Sequence, residues 1–305
     1  MRVVTGLEGD LLGSAGVTIG TFDGVHLAHT RAIRHLRQVS SANGWKAIVI
    51  TFDKHPRCVL DPVRCPALIT TLDEKLAILE GLGVDVAWVM PFTPGLAGLS
   101  AGDFMRRVGS RVDIRHLLSG PDFALGHERG GDNAWLREYG GRNGFETEVM
   151  PLLEVGGVEL HSSDIRRLLE AGDVSGAAAL LGRPFRLQGE VEAGARIGRR
   201  LGFPTANVAL PPGKLIPGDG IYASLVKLPG GEWPGALSIG RRPTFDGERL
   251  VVEVHILDFN DDIYGIKIAV DIIERLRGQE RYERPEELAS QIALDVEETR
   301  RLLAR

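Results

Sequence analysis

Two hydrophobic rhythms divide the chain. From residue 17 to about 150, short apolar runs alternate with stretches whose apolar residues recur every three or four positions. "VTIGTF" (17–22), "KAIVITF" (46–52), "VDVAWVMPF" (84–92), "HLLSG" (116–120) and "FETEVMP" (145–151) predict buried strands. Between them, the spacing of Ile33, Leu36 and Val39 predicts a helix. So do "LDEKLAILEGLG" (72–83), "SAGDFMRRVGSRV" (100–112) and a segment near 132–140. Such alternation predicts a parallel sheet with helices on both faces, an α/β fold. After "AGDVSGAAALLGRPF" (171–185) the rhythm changes. "RLQGEVEAG", "GIYASLVKL", "GALSIG", "LVVEVHILDF" and "IKIAVDIIERL" are short strand candidates separated by Gly, Pro and Asp clusters, the pattern of a small β-barrel. The tail, "RPEELASQIALDVEETRRLLAR", is an amphipathic helix with Leu288, Ile292 and Val296 at helical spacing, expected to pack on that barrel. The domain boundary is expected near residue 183, giving segments 1–182 and 183–305.

Composition narrows the picture only a little. The chain has 305 residues, 43% hydrophobic and 25% charged, with a net charge of −5. That is ordinary globular composition, and no basic surface for nucleic acid or membrane is expected. No run approaches the roughly 18 apolar residues of a spanning helix. "MRVVTGLEGDLLGS" lacks the apolar core of a secretory signal. Cys58 and Cys65 form no CxxC and are too few for a disulfide framework, so a reducing, cytoplasmic compartment is the expectation.

Candidate chemistry collects at two places. "TIGTFDGVHLAHT" (18–30) runs from the first strand into a helix, and ligands in parallel sheets bind beyond the carboxyl ends of the strands. Helix N-termini offer unsatisfied N–H groups to phosphate. His26 and His29, three apart on a helix, could face one anion and stabilise a pyrophosphate leaving group. Read alone, the pair is also consistent with a core histidine beside a surface one, or with a zinc site completed by Asp23. Downstream, "HSSDIRRLLEAGD" (161–173) predicts a helix capped by Ser162 or Ser163, with Asp164 in its first turn and Arg166 in reach of an anion. The second place is "GRRLGFPTAN" (198–207). Gly198 and Gly202 permit a tight backbone, and Thr205 and Asn207, two apart on an extended segment, could share a magnesium ion that carries ATP phosphates. A proline turn with a locally bonded Asn is the plainer alternative.

The strings "GTFDGVHLAH", "TFDKHP" (51–56), "TTLDEKLAILEGLGVD" (70–85), "GPDFALG" (120–126) and "HSSDIR" resemble the adenylyltransferase module of bacterial bifunctional riboflavin kinase/FAD synthetases. "GRRLGFPTAN", "SIGRRPTF" (238–245) and "EVHILDFNDDIYG" (253–265) resemble the riboflavin kinase module of the same family, in family order. The resemblance implies a Rossmann-like HxGH nucleotidylyltransferase domain followed by a riboflavin kinase barrel. It implies FMN formation from riboflavin and Mg-ATP, then FAD formation from FMN and a second ATP. By the same resemblance Gly20, Phe22, Asp23, His26 and His29 take ATP in the first module, with Ser162, Ser163 and Arg166 closing from the other side. Asp122, Phe123 and Gly126 lie near the flavin, Gly198, Thr205 and Asn207 bind Mg-ATP, and Glu253 is the general base. Two departures stand out: the glycine of HxGH is Ala28, and Asp164 brings a negative charge beside a polyphosphate. They leave open a kinase whose first domain only binds nucleotide or flavin, or a transferase that uses another nucleotide such as CTP.

Overall fold

A computed structural model describes residues 1–151, 153–155, 158–194, 198, 201–244 and 247–304. Contacts divide the chain into two compact units, Met1–Ser162 and Ser163–Arg305, a division earlier than the expected boundary near residue 183. The segment between the two positions forms helices α7 (Ser162–Glu170) and α8 (Val174–Leu181), and α8 packs against the first and last strands of the barrel.

The first unit is the predicted parallel sheet. β1 (Arg2–Thr5), β2 (Ser14–Ile19), β3 (Lys46–Phe52), β4 (Val86–Met90), β5 (Asp113–Ser119) and β8 (Glu146–Val149) lie in the order β1-β4-β3-β2-β5-β8, and every pairing is parallel. The expected strands β2 to β5 and β8 are present within a few residues of their predicted ends. β1 is not among them, because a four-residue edge strand with one buried position carries no readable period. Helices α1 (Leu27–Ala42), α3 (Leu72–Gly81), α5 (Ala101–Gly109) and α6 (Asn133–Asn143) connect the strands. Thr71 caps α3 in a reciprocal capping box with Glu74. Because the order runs β2-β3-β4-β1 one way and β2-β5-β8 the other, the strand order reverses between β2 and β5, the switch point beyond whose strand ends such sheets take their ligands.

One feature departs from the sequence reading. Cys58 and Cys65, left unbridged there, are joined by a disulfide, because the short helix α2 (Pro56–Leu60) and the turn after it bring their Cα atoms to 4.2 Å. The remaining strands of this unit are the pairs β6 (Ala124–Leu125) with β7 (Gly131–Asp132) and β9 (Glu154–Val155) with β10 (Val158–Glu159).

The second unit closes β11 (Phe185–Glu192), β12 (Ala206–Ala209), β13 (Gly220–Leu228), β14 (Gly231–Thr244), β15 (Gly247–Ile256) and β16 (Lys267–Arg277) into a barrel in the order β11-β12-β15-β14-β13-β16. Alternation assigns the faces: Val252, Val254 and Ile256 fill the interior, and Val251, Glu253 and His255 point outward. The C-terminal helix (Pro285–Leu303) lies over the outer face of β13 and β14. Its most buried residues are Asp295 and Thr299 rather than the apolar Leu288, Ile292 and Val296 on which the sequence reading rested. Burial of Asp295 is tolerated because Arg277 grips both carboxylate oxygens, at 2.8 and 2.7 Å.

The barrel seam uses the same device. Asp271 on β16 is 7% exposed and accepts a two-pronged bond from Arg186 on β11, at 2.6 and 2.7 Å, with Lys227 of β13 at 3.3 Å. Three strands thus converge on one carboxylate. Asp271→Ala is expected to lower unfolding free energy by about 1–2 kcal/mol, since it removes the buried acceptor shared by two half-exposed cations that can partly rehydrate. Urea titration of the variant with an unchanged m-value checks this.

Candidate active sites

The first site is built by the loop between β2 and α1. The backbone takes left-handed angles at Phe22 (φ 49°), Gly24 (φ 83°) and Val25 (φ 38°), two of them non-glycine and one β-branched. Such strain persists only where the surroundings overdetermine it. Here the Asp23 carboxylate, 4% exposed, accepts from the amides of Ile69 (3.2 Å) and Thr70 (3.0 Å), and Thr70 Oγ1 accepts from the Gly24 amide (3.0 Å). Asp23 therefore anchors the loop to the segment before α3. The described residues contain no cluster of three metal-ligating side chains, so Asp23, His26 and His29 do not form the zinc site that their spacing left open.

The strained loop delivers His26 to the N-cap of α1, not to its first turn, with no side-chain cap. The amides of Leu27, Ala28 and His29 precede the first helical bond, Thr30 N to His26 O at 2.8 Å, so the helix start is free to receive an anion. The two imidazoles share a face as expected. Their rings stack with centroids 3.7 Å apart, and Phe22 meets the His29 ring edge-on at 5.1 Å. Burial, then the neighbouring His26 and the Lys75 ammonium, push His29 well below its ordinary value, so its ring is neutral at neutral pH. Its Nδ1 makes no hydrogen bond among the described residues. Ala28, the departure from HxGH, is the second residue of α1 and has no positive φ, so its methyl meets no backbone strain.

Lys75 was not singled out from the sequence, although "TTLDEK" was. It is 6% exposed, and its Nζ donates to Thr21 O (3.0 Å) just past β2, and to Thr51 Oγ1 (3.0 Å) and Phe52 O (3.2 Å) at the carboxyl end of β3. Burial lowers its pKa to about 8, against the opposing pull of Asp23 and Asp53. A lysine at an inward position of an otherwise apolar helix face was the available signal.

Of the other expected residues, Gly20 directly follows β2, with its amide donating to Ile50 O at 3.0 Å. Ser162 is the first residue of α7 and not its cap: its hydroxyl donates to Asp23 O at 3.1 Å. Ser163 and Arg166 follow on α7, exposed and partly buried respectively, with Asp164 3.7 Å from Arg167. In the first unit, the loop after β5 carries Asp122 and Phe123. Asn133 holds that loop through the carbonyls of Gly120 (3.0 Å) and Pro121 (2.9 Å), and Arg129 bonds Asp122 O at 2.7 Å. Gly126 has φ 79°, and a Cβ there would lie 2.4 Å from the Ala101 amide nitrogen, so only glycine fits.

The second site lies on the outer wall of the barrel. Cross-strand register sets Asn207 opposite Glu253 and Glu253 opposite Ser238, so one row of side chains crosses β12, β15 and β14. Between this wall and the C-terminal helix is a cavity of about 470 Å3 lined by Thr205, Ser238, Glu253, Arg277, Leu288 and Ile292, among others. Gln279 closes one side through Ser238 Oγ and Ile239 O, both at 3.0 Å. A second cavity of about 400 Å3, lined by Val191, Val254, Phe259 and Tyr264, also reaches Thr205. Thr205 thus stands where the two meet. Gly198 turns the chain so tightly that a Cβ would lie 2.3 Å from Phe203 O. Arg199 and Arg200 of "GRRLGFPTAN" and Phe245 of "SIGRRPTF" lie outside the described residues. Arg277, Gln279 and Asp295 were missed from the sequence, because only barrel closure and helix docking bring them to Glu253's cavity.

Comparison with known proteins covers both halves of the chain. The FAD synthetase family model matches residues 11–164, and the riboflavin kinase model, Flavokinase, matches residues 181–303. A curated relative from Pseudomonas fluorescens, a bifunctional riboflavin kinase/FMN adenylyltransferase, is 37% identical over 94% of this chain and 92% of its own length. One of the same name from Escherichia coli K12 is 35% identical over 92% of this chain and 90% of its own. A solved structure from Streptococcus pneumoniae, described as a macrolide-efflux protein, superposes with TM-score 0.90 at 27% identity, covering 98% of this chain and 99% of that one. Here, no helix among the described residues is long and apolar enough to cross a membrane. With near full-length identity above 30% and a matching model for each half, the chain belongs to the bifunctional riboflavin kinase/FMN adenylyltransferase family.

Proposed function

We propose that this chain phosphorylates riboflavin to FMN with ATP and then adenylylates FMN to FAD, releasing pyrophosphate. The observation that carries the first step is the row Asn207–Glu253–Ser238 beneath the C-terminal helix, with Thr205 between two cavities. In this reading the flavin occupies the cavity that holds Glu253, and ATP reaches Thr205 from the other. Glu253 accepts the proton of the ribityl 5′-hydroxyl as that oxygen attacks the γ-phosphorus and ADP leaves. The Thr205 hydroxyl and Asn207 amide oxygen form a sparse, hard-oxygen pair. That suits magnesium, which keeps waters and phosphate oxygens as its other ligands. When bound, the ion neutralises phosphate charge.

In the second step a phosphate oxygen of FMN attacks the α-phosphorus of ATP, and the bond to the bridging oxygen of the β-phosphate breaks. No covalent enzyme intermediate is required. Charge grows on the leaving pyrophosphate, and the site answers it with the open amides at the start of α1 and one N–H from the neutral His29 ring, beside His26. Phe22 and Gly20 shape the wall, and Ser163 and Arg166 are assigned to the nucleotide. Asp122, Phe123 and Gly126 are assigned to the flavin. The modules are assigned to residues 1–182 and 183–305, in keeping with the spans of the two family models. The partners are riboflavin, FMN and ATP, with no nucleic acid.

The first test is chromatography of the purified chain with FMN, ATP and magnesium. FAD is the expected product. FMN made from riboflavin without any FAD would reduce the first unit to a binding module, and better use of CTP than ATP would redirect the second step. Glu253→Gln is expected to slow FMN formation by at least about 100-fold, the scale of a lost general base, while FAD formation from supplied FMN stays within about three-fold. Loss of both activities in a folded variant would contradict separate sites. Ala28→Gly, restoring the HxGH glycine, is expected to leave FAD synthesis within about two-fold and to cost up to about 1 kcal/mol of stability, read by thermal melting, because the position is helical.

A further inference from the structure

Resting on the assignment of adenylyl transfer to the first unit, we propose that Lys75 is a positioning residue of that site, a clamp that fixes the strained loop before α1 so that its helix start meets the polyphosphate. The argument is geometric. Three acceptors converge on one Nζ: a carbonyl of the loop after β2 (Thr21), and a hydroxyl and a carbonyl at the end of β3 (Thr51, Phe52). Thr51 Oγ1 itself donates to Thr21 O at 3.1 Å, so two adjacent strand ends are sewn together at one point. An ammonium has three donors, and all three are used. One residue beyond Thr21 the backbone enters its left-handed stretch, and five beyond it lies His26. A buried lysine is expensive, and a core apolar residue would pack in its place at no charge cost. Its presence marks a demand that packing does not make.

The charge adds a second consequence. Asp23 from the loop after β2 and Asp53 from the loop after β3 attract the ammonium, and His29 of α1 feels it. The Asp53 carboxylate is itself held by the Phe92 amide at 2.8 Å, beyond the end of β4. With Lys75 titrating near 8, a neutral amine appears within an accessible pH range. It keeps two N–H donors for three acceptors, and it no longer offers positive charge to a nearby anion. The clamp therefore loosens as pH rises through that value. The sign for folding is opposite: between about pH 8 and 10.5 Lys75 binds fewer protons in the folded chain than in the unfolded one, so its own contribution to stability rises across that window. Titration of Lys75 therefore loosens the loop without itself driving unfolding, and riboflavin phosphorylation at the same pH reports on global folding.

The test uses the full chain and Lys75→Met and Lys75→Arg variants, with riboflavin phosphorylation as the control for folding. Lys75→Met is expected to lower kcat/KM for FAD synthesis at least about 100-fold, mainly through kcat, as a small misplacement of reacting groups does. FMN formation stays within two-fold in that variant by expectation, and amides of residues 18–30 exchange at least about ten-fold faster by mass spectrometry, a local opening of the segment. In the wild type, kcat/KM for FAD falls as pH rises through about 8, and the falling limb vanishes in Lys75→Arg, whose guanidinium keeps its charge. FAD synthesis by Lys75→Met within three-fold of wild type, or unchanged exchange over 18–30, or a wild-type limb that survives in Lys75→Arg, each overturns the proposal. Should Lys75→Met lose FMN formation as well, the wild-type and Lys75→Arg pH profiles decide. Should the wild type make no FAD at all, the assigned reaction fails, and the exchange measurement alone decides the clamp.

Discussion

A buried ammonium must be met by acceptors, and the first unit is arranged around that demand. Lys75 takes its three from the ends of two neighbouring strands, so α3, β2 and β3 are held at a common point. Asp23 performs the converse task with the opposite charge, gathering amides from residues 69 and 70. Between these two anchors the chain can hold Phe22 and Val25 at angles that neither would adopt freely. The strain is useful: it turns the backbone abruptly enough to start α1 at His26, with its first amides open. The phosphate site proposed here thus needs no glycine-rich cradle, only a helix start aimed by charges several residues away.

The second unit meets a different constraint. A barrel's interior is filled by its own side chains, so a substrate must be received on the outer wall or at a mouth. The outward row on β12, β15 and β14 becomes a pocket only because the C-terminal helix roofs it. That helix is held by Arg277 and Asp295, an ion pair facing the cavity, rather than by an apolar stripe alone. The consequence is a cleft whose roof is apolar at Leu288 and Ile292 and whose floor is polar at Glu253 and Ser238. Such a cleft suits a flat aromatic body with a hydroxylated tail.

Ala28 illustrates how local context sets the meaning of a motif. In the sequence it was a missing glycine beside a nucleotide, and a possible sign of a drifted site. In the structure the position is the second residue of a helix, where alanine is favoured. The glycines that do need their freedom or their missing Cβ are elsewhere, at Gly126 against Ala101 and at Gly198 against Phe203.

The alternation of short apolar runs with helical periods was enough to assign a parallel sheet, and period-two runs between turns were enough for a barrel, because each pattern follows from the geometry of its own element. His26, His29, Thr205, Asn207 and Glu253 could be picked out as candidates too, since each lies in a short string whose residue types point to phosphate or proton chemistry. What stayed hidden was everything set by contacts between distant segments. Lys75 looked like one more charge on a helix until burial put it among strand-end acceptors. Asp23 carried no visible structural role in the sequence, and only the fold shows its carboxylate anchoring two amides from 46 and 47 residues away. Cys58 and Cys65 met across a turn that no period announces, and Arg277 met Asp295 only when the last helix docked. Local sequence determines which element forms and which face is apolar. Only the tertiary fold decides which charges are stripped of water, and that decides which of them matter.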